Sequence, residues 1–493
     1  MDLRKAAEHF VFRDPRKARC VIDYRQFLTD VTVQNIIRSC RICKEETGGR
    51  KIAGVFYGYS FHCAAERPIS LSNLGFLGLK QVLESPHVDF LCAPTDYNRR
   101  RGGEPGNFLS AYTSSYQLHG KLYWDEADIH THHARERKPH ATSSLAETLA
   151  VCERGFGYML TKGTALWWFT LAGDNTFHDD AIMERIAQMQ QGGQSTLAVD
   201  KSSASEIAVF ADEESLLYMG TNSKALLQPL MSQIQMHYKL ATMGAPYDLY
   251  LLSDLADTRM RDYKLYLFLN PFYLSDAMRE AIKAKVRRNG AVAVWFYAPG
   301  YIREDGTFSV DAIHDLTGIR VRQANEEREF RLTITSHDHP ITSELTRSTD
   351  LGRTQPFGPV FWVEDPQATA LGKLAPDGKV GLAVKDFGTW RSVYCASPLV
   401  STGLLRGLAR YAGAHVYSTT DDPFFANRNF AMIHTATAGT KQIVLPRQCD
   451  AYDLLSGQLV GRRTTTISLD LPASTTRIFL LAAPDFATAQ QPQ

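Results

Sequence analysis

Residues 120–133 read GKLYWDEADIHTHH. The first half is apolar and aromatic and predicts a buried strand over 121–126. The run then breaks into Asp125, Glu126 and Asp128, followed by His130, His132 and His133. Three readings fit a buried strand that ends in titratable groups: a metal site, a catalytic carboxylate at the mouth of a barrel, or a solvated loop. The neighbouring segments set the fold class. KIAGVFYGY (51–59), VDFLCAP (88–94) and ALWWFTLAG (165–173) are also near-continuous apolar runs, the pattern of strands buried on both faces. Helical periodicity covers 21–46, 71–85, 143–163 and 179–191. Strands alternating with helices predict a parallel α/β sheet. Four such units are half of a (β/α)8 barrel, although an open doubly wound sheet fits the alternation too. The polar residues favour the barrel. Tyr57 and Tyr59, then Thr95, Asp96 and Tyr97, then Asp125, Glu126 and Asp128, then Asp174 and Asn175 fall at the strand ends, where barrel sites are built.

At 493 residues the chain exceeds one core, and two to four domains are expected. Its 44% hydrophobic and 22% charged content is ordinary for a globular protein. A formal charge of +1 gives no reason to expect a nucleic-acid partner. Of the eight cysteines, Cys40 and Cys43 alone form a CxxC, inside a helical pattern and without a second pair. Reduced, structural cysteines are expected. The N-terminal stretch has no apolar signal core and no run is long enough to cross a bilayer, so the reading is cytoplasmic, with no membrane partner.

The composition shift QQGGQSTLAVDKSSAS (190–205) marks a boundary. Beyond it, EIAVFAD (206–212), a helical stretch (222–244), DLYLLSDL (248–255), YKLYLFLNPF (263–272), a helix (275–290) and AVAVWFYAPG (291–300) predict a second, flavodoxin-like α/β unit. It closes with a strand, helix and strand over 390–417. No GxGxxG loop is present, so no nucleotide cofactor is expected. The tail from 421 onward reads as a small all-β domain. The expected domains are therefore 1–195, 196–418 and 419–485.

Glu126 is the first candidate for chemistry. A retaining glycosidase needs two carboxylates about 5–5.5 Å apart, one to attack the anomeric carbon and one to protonate the leaving oxygen. Glu126 fits the attacker, with Trp124 as an apolar wall. The histidines lack the HExxH spacing. An HxH in extended chain can hold a metal, but hydrogen bonding to sugar hydroxyls or orientation of carboxylates is preferred, and no metal is expected. Trp167 and Trp168 are adjacent, so one at most faces the site. A tryptophan face suits the C–H face of a sugar. Arg99, Arg100 and Arg101 read as a solvated run or a subunit contact. No GxSxG elbow supports a serine nucleophile.

The segments VIDYRQFLTDVTVQNI, SPHVDFLCAPTDYNRRRGGEPG, LHGKLYWDEADIHTH and WRSVYCASPLVSTGLLRGLARYAGAHVY resemble the glycoside hydrolase family 42-type β-galactosidases. They resemble still more the related bacterial enzymes grouped near glycoside hydrolase family 164, a β-mannosidase family. The resemblance spans nearly the whole chain. It implies a TIM barrel, a flavodoxin-like trimerisation domain and a C-terminal β domain, hence a homotrimer. It further implies a retaining exo-β-glycosidase acting without a cofactor on a glycoside or oligosaccharide. The family nucleophile, a Glu ending the seventh barrel strand, falls on Glu126. Tyr97 falls where a tyrosine bonds that nucleophile. Tyr57, Tyr59, Asp96, Trp124, Asp128, His130, His132 and Trp168 are expected around the sugar. The departure is the acid/base Glu of strand four. MDLRKAAEHFVFRDPRKARC offers no strand with an Asn-Glu end, and Glu8 sits in a polar, helical-looking stretch. A partial barrel of strands 5–8 with impaired hydrolysis is expected. The alternatives are a truncated, non-catalytic carbohydrate-binding or assembly subunit, and a metal-dependent hydrolase using the histidines.

Overall fold

The computed structural model describes residues 6–58, 73–96, 98–106, 111–134, 140–170, 175–221, 236–346 and 350–483. The first unit runs α1 (Arg19–Glu46), β1 (Gly54–Phe56), α2 (Leu79–Glu84), β2 (Phe90–Pro94), α3 (Thr113–Leu118), β3 (Leu122–Ala127), α4 (Leu145–Lys162), β4 (Ala165–Trp168) and α5 (Asp180–Ser195). The four strands are all parallel and lie side by side in chain order. Every crossover therefore moves one step in one direction, with no reversal of strand order.

Local chemistry sets the helix ends. Ser144 caps α4 by accepting from the Glu147 N–H at 3.2 Å, the Glu147 carboxylate accepts from the Ser143 N–H, and Gly163 ends the helix at φ +62°. Asp179 caps α5 through the N–H groups of Ala181 and Ile182. Helix α5 runs four residues past its expected end, through Gly192 and Gly193. Those glycines face Leu454 and Phe156, so packing overrides their low helix propensity. The helix expected over 71–85 is shorter, Leu79–Glu84, preceded by a turn.

The second sheet has eleven strands. Its parallel part orders Asp248–Leu251, Ile207–Ala211, Leu265–Phe268, Ala291–Phe296 and Trp390–Cys395 side by side. In chain order that is 2-1-3-4-5, the flavodoxin-like arrangement. An antiparallel extension follows, with Val380–Asp386, Thr369–Leu374, Arg328–Ile334 and Asp350–Phe357. These strands fall between the segments from which the α/β unit is expected. The edge strand Asp248–Leu251 is not left open. The Leu249 and Leu251 N–H groups donate to the Ser114 and Ser115 hydroxyls of α3 at 3.1 and 2.8 Å, which covers an edge otherwise prone to pairing. The strand expected at the end of 390–417 is absent. Gly413 turns the chain at φ +72° after the helix Thr402–Tyr411, and Tyr417 instead bonds Gly244 and Val444 singly. A five-stranded antiparallel sheet over Phe424–Ala426, Phe430–His434, Gly439–Asp453, Leu459–Leu471 and Thr476–Ala482 completes the described chain.

Candidate active site

The ladder register decides which way Glu126 points. Glu126 pairs with Pro94 of β2 and Trp167 of β4, and Trp124 pairs with Cys92 and Ala165. Residues in register share a face and neighbours along a strand alternate. Glu126 therefore lies with Trp124, Cys92, Phe90, Trp167 and, through Cys92, Phe56. This face is open: Phe56 is 49% and Trp167 36% exposed. Its aromatic rings touch one another, Phe90 to Trp124 at 4.6 Å and Trp167 to Phe169 at 5.2 Å. The opposite face holds Leu91, Ala93, Tyr123, Asp125 and Ala127, all buried. Tyr123 there stacks on Tyr116 of α3.

The backbone at Glu126 is fixed. Its carbonyl accepts from the Thr95 N–H and the Asp128 N–H, each at 3.0 Å, and from the Thr95 hydroxyl at 3.1 Å. Its carboxylate has no hydrogen-bond partner among the described residues. Burial, and then the charge of Asp128, raise the Glu126 pKa above the ordinary carboxylate range. Asp128 itself is buried beside Arg100. The guanidinium Nη2 donates to Oδ1 at 2.7 Å and Nη1 to the Asp128 carbonyl at 3.1 Å, and further bonds reach the carbonyls of Thr95 and Asp96. Asp128 thus acts on Glu126 through its charge. Replacing it with Asn removes that charge and lowers the Glu126 pKa. The rise of covalent labelling with pH, which needs an ionised Glu126, should then move to lower pH; a rate profile against pH would check it.

Several residues expected around a sugar are placed elsewhere. Trp168 falls on the helix side, packed against Phe177 at 6.0 Å, and Trp167 takes the open face. Tyr57 is buried, and its hydroxyl donates to the Gly75 carbonyl at 2.7 Å and accepts from the Gly78 N–H at 3.1 Å. It pins the turn before α2. Asp96 is buried and holds Tyr238, beside the second sheet, and the Asn98 N–H. His132 bonds Thr148. His130 is half-buried beyond β3, with its carbonyl accepting from the Thr142 N–H at 2.9 Å. Tyr59, Tyr97 and Asp174 lie outside the described residues. Arg99 is exposed, as expected of a solvated run, but Arg100 and Arg101 form a clamp. Arg100 is buried as above, Arg101 makes two bonds to Glu147 at 2.8 and 3.1 Å, and Arg154 of α4 binds the carbonyls of Arg100 and Arg101.

Asp125 is a second buried acid, turned away from Glu126. It accepts from the Tyr123 hydroxyl at 3.2 Å and lies 3.3 Å from the Thr95 hydroxyl. Burial pushes its carboxyl up to about 7. The folded chain then binds a proton that the unfolded chain has released between about pH 4 and pH 7, so stability falls as pH rises through that window. Asp125→Asn should remove this dependence. Relative to the variant, the wild type should lose roughly 2 kcal/mol between pH 5 and pH 8, read from denaturant melts at both pH values.

Chemically, the open face offers one carboxylate set among indole and phenyl rings. Among the described strand residues of that face, Glu126 is the one acid. Such a group can attack an electrophilic carbon or accept a proton.

The class of fold is now defined. It is shared with solved β-galactosidases. The cold-adapted β-galactosidase of Rahnella sp. R3 matches with a TM-score of 0.62 at 15% identity, over 93% of this chain and 67% of its own. A catalytic mutant of a GH42 β-galactosidase from G. stearothermophilus gives 0.54 at 13% identity, over 85% and 70%. The β-galactosidase of Bacillus circulans sp. alkalophilus gives 0.53 at 12% identity, over 82% and 65%. The chain thus resembles GH42 β-galactosidases across most of its length and spans about two thirds of theirs. At these identities the likeness is one of fold. No family model matches the chain, and no curated protein matches it by sequence. Among the described residues, no helix is long and apolar enough to cross a membrane.

Proposed function

We propose that this chain carries the nucleophile half of a retaining β-glycosidase, with Glu126 attacking the anomeric carbon. The single observation behind this reading is the register that sets Glu126 at the C-terminal end of a parallel strand, on the open face, level with Trp167. Residues 1–195 are read as strands 5–8 of a (β/α)8 barrel, since single-step winding and an open strand face are what half a barrel leaves. Residues 196–418 and 419–485 form the flavodoxin-like and β domains of a homotrimer. The substrate is a terminal β-linked sugar, a galactoside or mannoside, whose C–H face rests on Trp124 and Trp167.

In the first step, a Glu126 carboxylate oxygen bonds to the anomeric carbon as the aglycone oxygen leaves. A glycosyl ester forms, and water then hydrolyses it. Among the described residues, no carboxylate shares the face to protonate the leaving group. Hydrolysis by these 493 residues alone should therefore follow leaving-group ability. Dinitrophenyl glycosides, which depart unprotonated, should turn over. Nitrophenyl and alkyl glycosides should be slower by about 10²–10⁴-fold beyond their intrinsic difference. Comparing dinitrophenyl and nitrophenyl β-galactosides and β-mannosides tests this. Equal, rapid turnover of good and poor leaving groups would mean that a proton donor is present and the reading of the site is wrong.

A further inference from the structure

The histidines that end the 120–133 stretch meet a residue the sequence reading never paired with them. His132 and His133, in the turn after β3, face Asp179 at the start of α5. Their ligand atoms all lie within 4.8 Å of one another. His133 Nε2 is 3.0 Å and His132 Nε2 4.0 Å from Asp179 Oδ2. We propose that His132, His133 and Asp179 bind a Zn²⁺ ion that ties the loop following Glu126 to the N-terminus of α5.

Tetrahedral zinc with bonds of about 2.0–2.1 Å places its ligand atoms about 3.3 Å apart. One edge of the trio already lies just inside that spacing and another less than an ångström beyond it. The rings are also prepared. The Thr148 hydroxyl donates to the Ser144 carbonyl at 3.1 Å and accepts from the His132 N–H at 3.2 Å. The same hydroxyl faces His132 Nδ1 at 3.1 Å and the Thr142 hydroxyl; with Nδ1 as the donor to it, the ring's free lone pair is on Nε2. The lone pair on Nε2 then points toward Asp179, and a hydroxyl orients the ligand from behind, as is usual around metals. Asp179 divides its oxygens in the same way. Oδ1 accepts from the Ala181 and Ile182 N–H groups at 3.0 and 3.2 Å, and Oδ2 faces the histidines.

One effect opposes the cation. The N-terminus of α5 carries partial positive charge, equivalent to about half an elementary charge. The full charge of Asp179 outweighs it. Two imidazoles and one carboxylate favour zinc and its late first-row neighbours over magnesium or calcium, which prefer oxygen. Solvent fills the fourth position, since His133 is 44% exposed. When the ion binds, the His133 proton moves to Nδ1 and its hydrogen bond to Asp179 becomes a shared ligation. The site stands independently of the glycosidase reading.

The test uses the full chain, stripped with chelator, loaded with Zn²⁺ and desalted. The expected result is one zinc per chain and a higher Tm with zinc than with chelator. Asp179→Asn keeps the helix cap, because Asn caps as well as Asp, and His133→Ala alters an exposed ring. Each should lower zinc affinity by about 100-fold or more and abolish the Tm rise, with the metal-free Tm unchanged. Replacing Cys40 and Cys43 by Ser should leave zinc binding intact. Absence of zinc from the wild type would overturn the proposal. So would equal affinity in wild type and both variants, or loss of zinc with the cysteines.

Discussion

Glu126→Gln abolishes covalent capture by an activated 2-fluoro glycoside and lowers dinitrophenyl-glycoside turnover by about 10⁴–10⁶-fold, the usual range for removing a nucleophile. The reason is specific to the position. Activated substrates need no proton donor, so their rate isolates the attacking group. Gln keeps the shape and the backbone bonds to Thr95 and Asp128, so the fold should be unchanged. Azide or formate should partly restore turnover in Glu126→Ala by entering the space left and attacking in its place. A rate in Glu126→Gln within tenfold of wild type, with native thermal unfolding, would remove Glu126 from the mechanism.

Arg100→Ala is the largest expected loss of stability. Arg100 is 1% exposed and the Asp128 carboxylate it binds is fully buried. Truncating the arginine leaves a buried carboxylate without its counter-charge, at a cost of about 3–5 kcal/mol. It also releases three carbonyls, those of Thr95, Asp96 and Asp128, which shape the chain on either side of Glu126. Labelling at Glu126 should therefore slow as well. Arg100→Met with Asp128→Leu removes both charges and should recover much of the stability, because two well-packed apolar groups need no solvation. Equilibrium denaturation of the single and double variants measures this directly. A single variant within about 1 kcal/mol of wild type would show that the buried pair is not what holds this loop.

The architecture was largely legible, for physical reasons. The strands at 88–94 and 121–126 are largely apolar runs, which predicted a parallel sheet covered on both faces; the sheet is parallel, but the face of Trp124 and Trp167 is open. The helices at 21–46 and 143–163 carry periodicity together with end signals, Gly48 and Gly49 after the first, and Ser143, Ser144 and Gly163 at the ends of the second. The extension over 328–386 was not read: Thr369–Leu374, Val380–Asp386 and Trp390–Cys395 pair as successive hairpins, but the outer strand Arg328–Ile334 joins them only through a segment distant in sequence. At the site, the sequence placed Trp124 and Glu126 on one buried strand, and both lie on Leu122–Ala127. It chose Trp168 over Trp167, and the structure reverses the choice, because adjacent residues differ only in face and the face follows from register with β3. It took Arg100 for a surface charge, since burial of an arginine depends on a partner 28 positions away. Asp179 carried a signal as the cap of a predicted helix. Its meeting with His132 and His133 needed the loop after β3 folded onto that cap.

The most direct test of the central claim is peptide mapping after inactivation. The chain is incubated with a 2-deoxy-2-fluoro β-galactosyl or β-mannosyl dinitrophenyl ether, digested at low pH and analysed by mass spectrometry. One fluoroglycosyl group per chain, esterified to Glu126 within the peptide that spans 122–134 and absent from the Glu126→Gln variant, is the predicted result. A label on another carboxylate, or no label alongside measurable turnover of the same sugar, would contradict it.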